Sequence, residues 1–249
     1  MKQIKVLIFL VLFPILHFGQ LSTKVNEYFQ QISQSKRAES SHIGVSGSES
    51  EVYKLHLELD KIATDKEIEY IAYNGNPVAK YYASNILFNR KSKSLEKLFK
   101  YYLKTKDSVS VLKGCVGGVS SLDTKIYLNV ISEKQLIDKM EWEKKWKDSM
   151  IINKKNNTPE YLSVVEMFNA KTIWSKKEID FLTQKLDQIV LNDLNSSEKM
   201  VEFICGHYLY TRKKVPYYEK IAYFEKKYHS EYIKKYLKFC RYGIIDPEE

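Results

Sequence analysis

An all-α fold of stacked helical units is predicted for this 249-residue chain by three observations. First, Ile68, Ile71, Ala72 and Val78 recur 31 residues on as Phe99, Tyr102, Leu103 and Val109. An apolar pattern repeated every 20–50 residues marks helical units that bury their faces against one another. Second, nine Gly and five Pro are few for this length, whereas an all-β protein would spend more on tight turns. Third, Pro77, Pro159 and Pro216 stand where a helix would begin, the one helical position that loses nothing without an N–H. An apolar content of 44% is enough to fold a core.

The N-terminus reads as an address. Lys2 and Lys5 precede the apolar run Val6 to Phe18, followed by Gly19-Gln20. A basic start, a short apolar run and a small residue describe a secretory signal peptide over residues 1–19, cleaved after Gly19. The run is shorter than the ~20 residues a membrane span needs, and Pro14 interrupts it. An uncleaved interfacial anchor is the alternative. No later stretch approaches spanning length, so the expectation is a protein that is periplasmic or secreted, with no transmembrane span in the mature chain.

Residues 20–50 read as a short helix, with Val25, Tyr28, Phe29 and Ile32 on one face, and a flexible Ser/Gly linker over Ser33–Ser50. Residues 51–131 hold the repeated helices. The helical period returns at Tyr53, Leu57 and Ile62, and Thr64-Asp65-Lys66-Glu67 has the spacing of a capping box. A helix over Glu67–Tyr73 stops at Asn74-Gly75, and Asn76-Pro77 opens the next, to Phe88. Further helices are expected at Ser94–Lys104 and Ser108–Val119, the last in spite of Gly114, Gly117 and Gly118. Residues 132–249 read as a C-terminal helical region packed on the repeats. It opens at the capping-box candidate Ser132–Gln135, runs through Trp142 and Trp146, and breaks at the polar loop Asn153–Pro159. Helices follow at Pro159–Asn169, Lys176–Leu191, Ser197–Tyr210, Pro216–Tyr228 and Glu231–Tyr242, with Gly243 as a stop. No convincing strand run interrupts the series.

The segment Asn76-Pro77-Val78-Ala79-Lys80-Tyr81-Tyr82-Ala83-Ser84-Asn85-Ile86-Leu87 resembles the second helix of a HEAT-like (armadillo-type) repeat. Val78, Lys80, Ala83 and Leu87 hold matching places, with Lys80 where such repeats usually carry Arg. The resemblance covers residues 65 to about 119, two units. It implies a right-handed α-α superhelix or solenoid of HEAT-like helix pairs, beside an irregular helical C-terminal half. It also implies a scaffold that binds other macromolecules along a concave face, and it brings no catalytic residues.

The chain carries +9, from 40 basic and 31 acidic residues, and +7 once Lys2 and Lys5 leave with the signal. The basic residues are interleaved with Glu along helices, a pattern that solvates a face, so no nucleic acid partner is expected. Lys80, Lys91, Lys93, Lys97, Lys100 and Lys104 would suit an anionic polymer if they shared one face. Cys115, Cys205 and Cys240 are an odd number and cannot all pair within one chain. Cys205 and Cys240, on neighbouring helices, are the pair that could bridge.

Chemistry is sparse. His42, His56, His207 and His229 form no HExxH or HxxxH pattern, and Cys205 and His207 point to different sides of a helix, so neither metal nor cofactor is expected. Glu198 and Glu202 share a face at i, i+4, where an acid–base dyad is conceivable but solvated carboxylates are commoner. No nucleophile or dinucleotide motif appears. No residue is assigned a catalytic, metal-ligating or binding role, and the chain is read as no enzyme. Nineteen Tyr include the doublets Tyr81-Tyr82, Tyr101-Tyr102 and Tyr217-Tyr218, and adjacent rings are expected not to face inward together, leaving some exposed among Lys. Rings left exposed would suit a protein interface. The expectation is an exported, non-catalytic helical-repeat scaffold for another envelope protein. The alternative is a basic surface for an anionic envelope polymer, with an enzyme third.

Overall fold

A computed structural model describes residues 21–167, 171–214 and 216–243. The signal peptide read at residues 1–19 lies outside them. Two compact units divide between Ile126 and Tyr127. The chain is predominantly helical, with eleven helices among the described residues, but it also carries a four-stranded sheet.

The first unit opens with helix α1 (Thr23–Gln34), then strands β1 (Ala38–Ile43) and β2 (Ser48–Glu49). Helices α2 (Glu51–Ile62), α3 (Asp65–Asn74), α4 (Pro77–Asn89) and α5 (Leu95–Thr105) follow, and then strands β3 (Ser108–Gly114) and β4 (Val116–Ser121). The sheet order is β2-β1-β3-β4. Strand β1 is antiparallel to β2 and parallel to β3, and β3 is antiparallel to β4. A parallel pair needs a crossover connection, and here four helices supply it.

Two expectations are corrected. The stretch over Ser33–Ser50 is no linker: it forms β1 and β2, turning through Gly44 and Gly47 at φ +72° and +66°. Its strand pairing is completed by a side chain, since the Tyr82 hydroxyl accepts from the Glu39 N–H at 2.7 Å and donates to the Glu39 carbonyl at 2.8 Å. The expected helix over Ser108–Val119 is the hairpin β3–β4, so the all-α reading gives way to a mainly helical one. Lys113 faces Val116 across the turn Gly114-Cys115, and Gly114 has φ +56°. A left-handed residue at the first turn position suits the twist of a two-residue hairpin. The β-branched Val109, Val111, Val116 and Val119 favour extended backbone, and the glycines withdraw the helical alternative.

Helix α4 is the hub of this unit. Val78, Ala79, Tyr81, Tyr82, Ala83, Ile86, Leu87 and Phe88 are all buried, as expected of a helix apolar all round. Both rings of the Tyr81-Tyr82 doublet are therefore interior, which corrects the expectation that adjacent rings cannot both face inward: a helix buried on every side has room for both. Asn76 caps the helix by accepting from the Ala79 N–H at 2.9 Å. Arg90 closes its C-terminal end, donating to Asp60 Oδ1 and Asp65 Oδ1, each at 2.8 Å. The Thr64/Glu67 capping box forms as its spacing predicts.

Helix α6 (Leu122–Ile152) runs unbroken across the division between the units, so Ser132 lies inside it and starts nothing. The second unit adds α7 (Pro159–Met167), α8 (Lys176–Asn192), α9 (Glu198–Tyr210), α10 (Tyr218–Tyr228) and α11 (Glu231–Tyr242). Its core includes Tyr127, Val130, Leu186, Val190, Val201, Ile204, Phe224, Ile233 and Tyr236. Ser175 and Glu178 form the capping box of α8, and Gly243 ends α11 at φ +74°.

Candidate functional site

The second unit holds a pocket of about 410 Å³ between α6, α9 and the first turn of α11. Helical periodicity builds its walls. Lys199, Phe203, Gly206 and Tyr210 recur at i, i+4, i+7 and i+11 on α9, and Leu128, Ile131 and Gln135 at i, i+3 and i+7 on α6. Tyr127, fully buried, and Tyr232, 47% exposed, add two more rings, while Tyr210 stands at the mouth, 79% exposed. Gly206 has a steric task here. A Cβ in its place would stand 3.0 Å from the Tyr232 hydroxyl, so glycine lets that ring lie close to α9.

The polar groups of the lining carry both signs. Lys199 lies 5.8 Å over the Phe203 ring. Glu202 accepts from Ser230, the N-cap of α11. His207 is only 5% exposed, and neither ring nitrogen has a hydrogen-bond partner. Its ring meets the edge of Tyr208 at 5.0 Å. Burial, and then the charges of Lys134 and Lys213, push its pKa down to about 4 against the pull of Asp138, so the imidazole is neutral near pH 7. A buried polar group without a partner is costly, and each such group calls for an explanation.

Next to the pocket, Asp187 of α8 is completely buried and accepts from the Tyr127 hydroxyl at 2.8 Å and from the Tyr208 hydroxyl. Burial raises its pKa to about 6, against these two donors and the charge of Lys134. Lys134, itself buried, is ion-paired to Asp180. The network fixes Tyr127, a pocket wall, by its hydroxyl. A second hollow of about 620 Å³ lies along the C-terminal half of α6, rimmed by Glu141, Lys144, Lys147, Asp148 and Lys176.

The residues singled out in the sequence are scattered. Of the histidines among the described residues, only His207 lines the pocket: His42 and His229 are exposed, and His56 is buried, stacked on Tyr82 at 4.7 Å. Glu202 enters the lining, and Glu198 is outside it and exposed. All three cysteines are free thiols: Cys115 is exposed at the hairpin turn, Cys205 is buried with its thiol pushed well up by burial, and Cys240 is intermediate. Lys80 is buried and bonded to Asp107 at 2.6 Å, and Lys100 is paired with Glu96 at 3.1 Å, so the six lysines do not offer six free charges. Among the described residues, no three His, Cys, Asp or Glu side chains gather as a metal site. Nor is any helix among them long and apolar enough to cross a membrane.

Sequence reasoning missed Asp187, Tyr127, Tyr208, Gln135 and Gly206. One signal was present: Thr183, Leu186, Asp187 and Val190 share the buried stripe of α8, and an aspartate in such a stripe requires partners. No family model, no curated protein and no solved structure matches the chain.

Proposed function

We propose that the chain is an exported, non-catalytic binding protein whose partner is another envelope protein, received at the pocket of the second unit. The observation that carries this reading is the pair of exposed rings at that pocket, Tyr210 and Tyr232, framing a concave apolar surface. Large aromatic side chains beside a pocket are the usual anchors of a protein interface. Export rests on the signal-like residues 1–19. The HEAT-like reading, held now by the helix pair α3 and α4 alone because residues 108–119 form a hairpin, enters as a scaffold role.

Two features favour binding over catalysis. His207 has no hydrogen-bonded group to orient it as a general base, and the buried Cys205 has its thiol pushed up, away from the thiolate a nucleophile needs. The polymer reading is second because Lys80, one of its six lysines, is buried and bonded to Asp107. The test is affinity capture from envelope extract of the source cells on the chain Gln20–Glu249, in parallel with the double variant Tyr210→Ala/Tyr232→Ala. One protein retained by the native chain and reduced at least about tenfold on the variant, with circular dichroism unchanged, is the expected result. Equal retention by both chains overturns the reading.

A further inference from the structure

Resting on that reading, we infer that the pocket takes the side chain of a tyrosine from the partner, its ring against Phe203, Tyr210 and Tyr232 and its hydroxyl on His207. Three observations converge on this chemistry. The walls are mainly rings and aliphatic chains, which favour a flat apolar body in offset or edge contact. The lining carries one cation, Lys199, and one anion, Glu202, and its imidazole is neutral, so neither an anion nor a cation gains from entering. His207 leaves two buried ring nitrogens without partners, and an occupant that is wholly apolar would keep them so. A hydroxyl both donates and accepts, and therefore suits a nitrogen of His207 in either tautomer. An indole N–H only donates, and a phenyl ring does neither.

The test uses four small probes on the native chain: p-cresol for the tyrosine side chain, toluene for phenylalanine, 4-methylbenzoate for an anion and benzylamine for a cation. Binding is followed by NMR of histidine-ring-labelled protein, with His42, His56 and His229 as internal controls. Expected are a ring-nitrogen shift confined to His207 on adding p-cresol, and affinity for p-cresol about tenfold above that for toluene and above both charged probes. Toluene binding as tightly as p-cresol, a charged probe binding more tightly, or no response of the His207 ring overturns the inference. The variant His207→Gln, which keeps a donor and an acceptor, is expected to retain more p-cresol affinity than His207→Leu. The two proposals fail separately. A His207 response to p-cresol with capture indifferent to Tyr210 and Tyr232 sinks only the protein partner. Tyrosine-dependent capture with a silent His207 sinks only the tyrosine anchor.

Discussion

Asp187 and His207 show how burial sets opposite electrical demands on two residues of one helical unit. Asp187 is raised from an ordinary 3.8 to about 6, so the folded chain holds its proton more firmly than the unfolded chain does. That contribution to stability is present below about pH 4 and is lost as pH rises through 6. His207, lowered from 6.5 to about 4, works the other way: its contribution is present above 6.5 and is lost as pH falls through 4. Each shift amounts to about 3 kcal/mol, and between pH 4 and 6 the two slopes nearly cancel. Asp187→Asn removes one of them while keeping partners for the Tyr127 and Tyr208 hydroxyls. Relative to the native chain, its stability is expected to climb with pH between 4 and 6 by about 3 kcal/mol, read from urea midpoints at each pH. His207→Gln is expected to slope downward over the same interval. Parallel curves for all three chains would refute the assignment of these charges. Asp187→Ala, by contrast, strands two tyrosine hydroxyls, one fully buried, and is expected to lose about 2–4 kcal/mol at every pH.

At the scale of elements, the hairpin β3–β4 is where the period of the sequence misleads. Val109 repeats the place that Val78 holds in a helix, yet it is buried in β3 opposite Ser120. Alanine substitutions separate the two backbones. In a helix, Gly114→Ala and Gly118→Ala would each stabilise by about 1 kcal/mol. In the hairpin, Gly114→Ala forces a side chain onto φ +56° and is expected to destabilise by about 1 kcal/mol, while Gly118→Ala, with open space about its Cβ, is expected to be close to neutral. Urea unfolding of the two variants checks this, and stabilisation by both would restore the helix. Most helices were legible, because their ends are marked by local chemistry: Thr64 with Glu67, Asn76-Pro77, Ser175 with Glu178, and Gly243. The strands were not, since β1 is closed by the hydroxyl of Tyr82, 43 residues distant, and by parallel pairing with β3. The pocket was half legible. Its α9 stripe has a plain helical spacing, but its closure by Tyr232 depends on Gly206 allowing close approach, a contact without a local signature.

For the whole molecule, charge decides how the proposed binding should respond to salt. The net charge of +9, or +7 for Gln20–Glu249 without Lys2 and Lys5, attracts acidic surfaces in general, and such attraction between exposed groups fades as the screening length falls from about 10 Å at 0.1 M salt to about 3 Å at 1 M. Ion pairs within the first unit leave that surplus unchanged, because their acidic partners are already subtracted in it. Lys80 is paired with Asp107, Arg90 with Asp60 and Asp65, and Lys61 with Glu58. The pocket in the second unit offers rings, one lysine and one glutamate, so its contribution is apolar and little screened. Capture on the chain Gln20–Glu249 is therefore expected to persist from 0.1 M to 1 M sodium chloride, with less than about a threefold loss of the retained protein, and to depend on Tyr210 and Tyr232 throughout that range. Binding that survives only below about 0.2 M salt, and that anionic polymers compete away, would place recognition on the basic helices. The polymer reading would then replace the pocket.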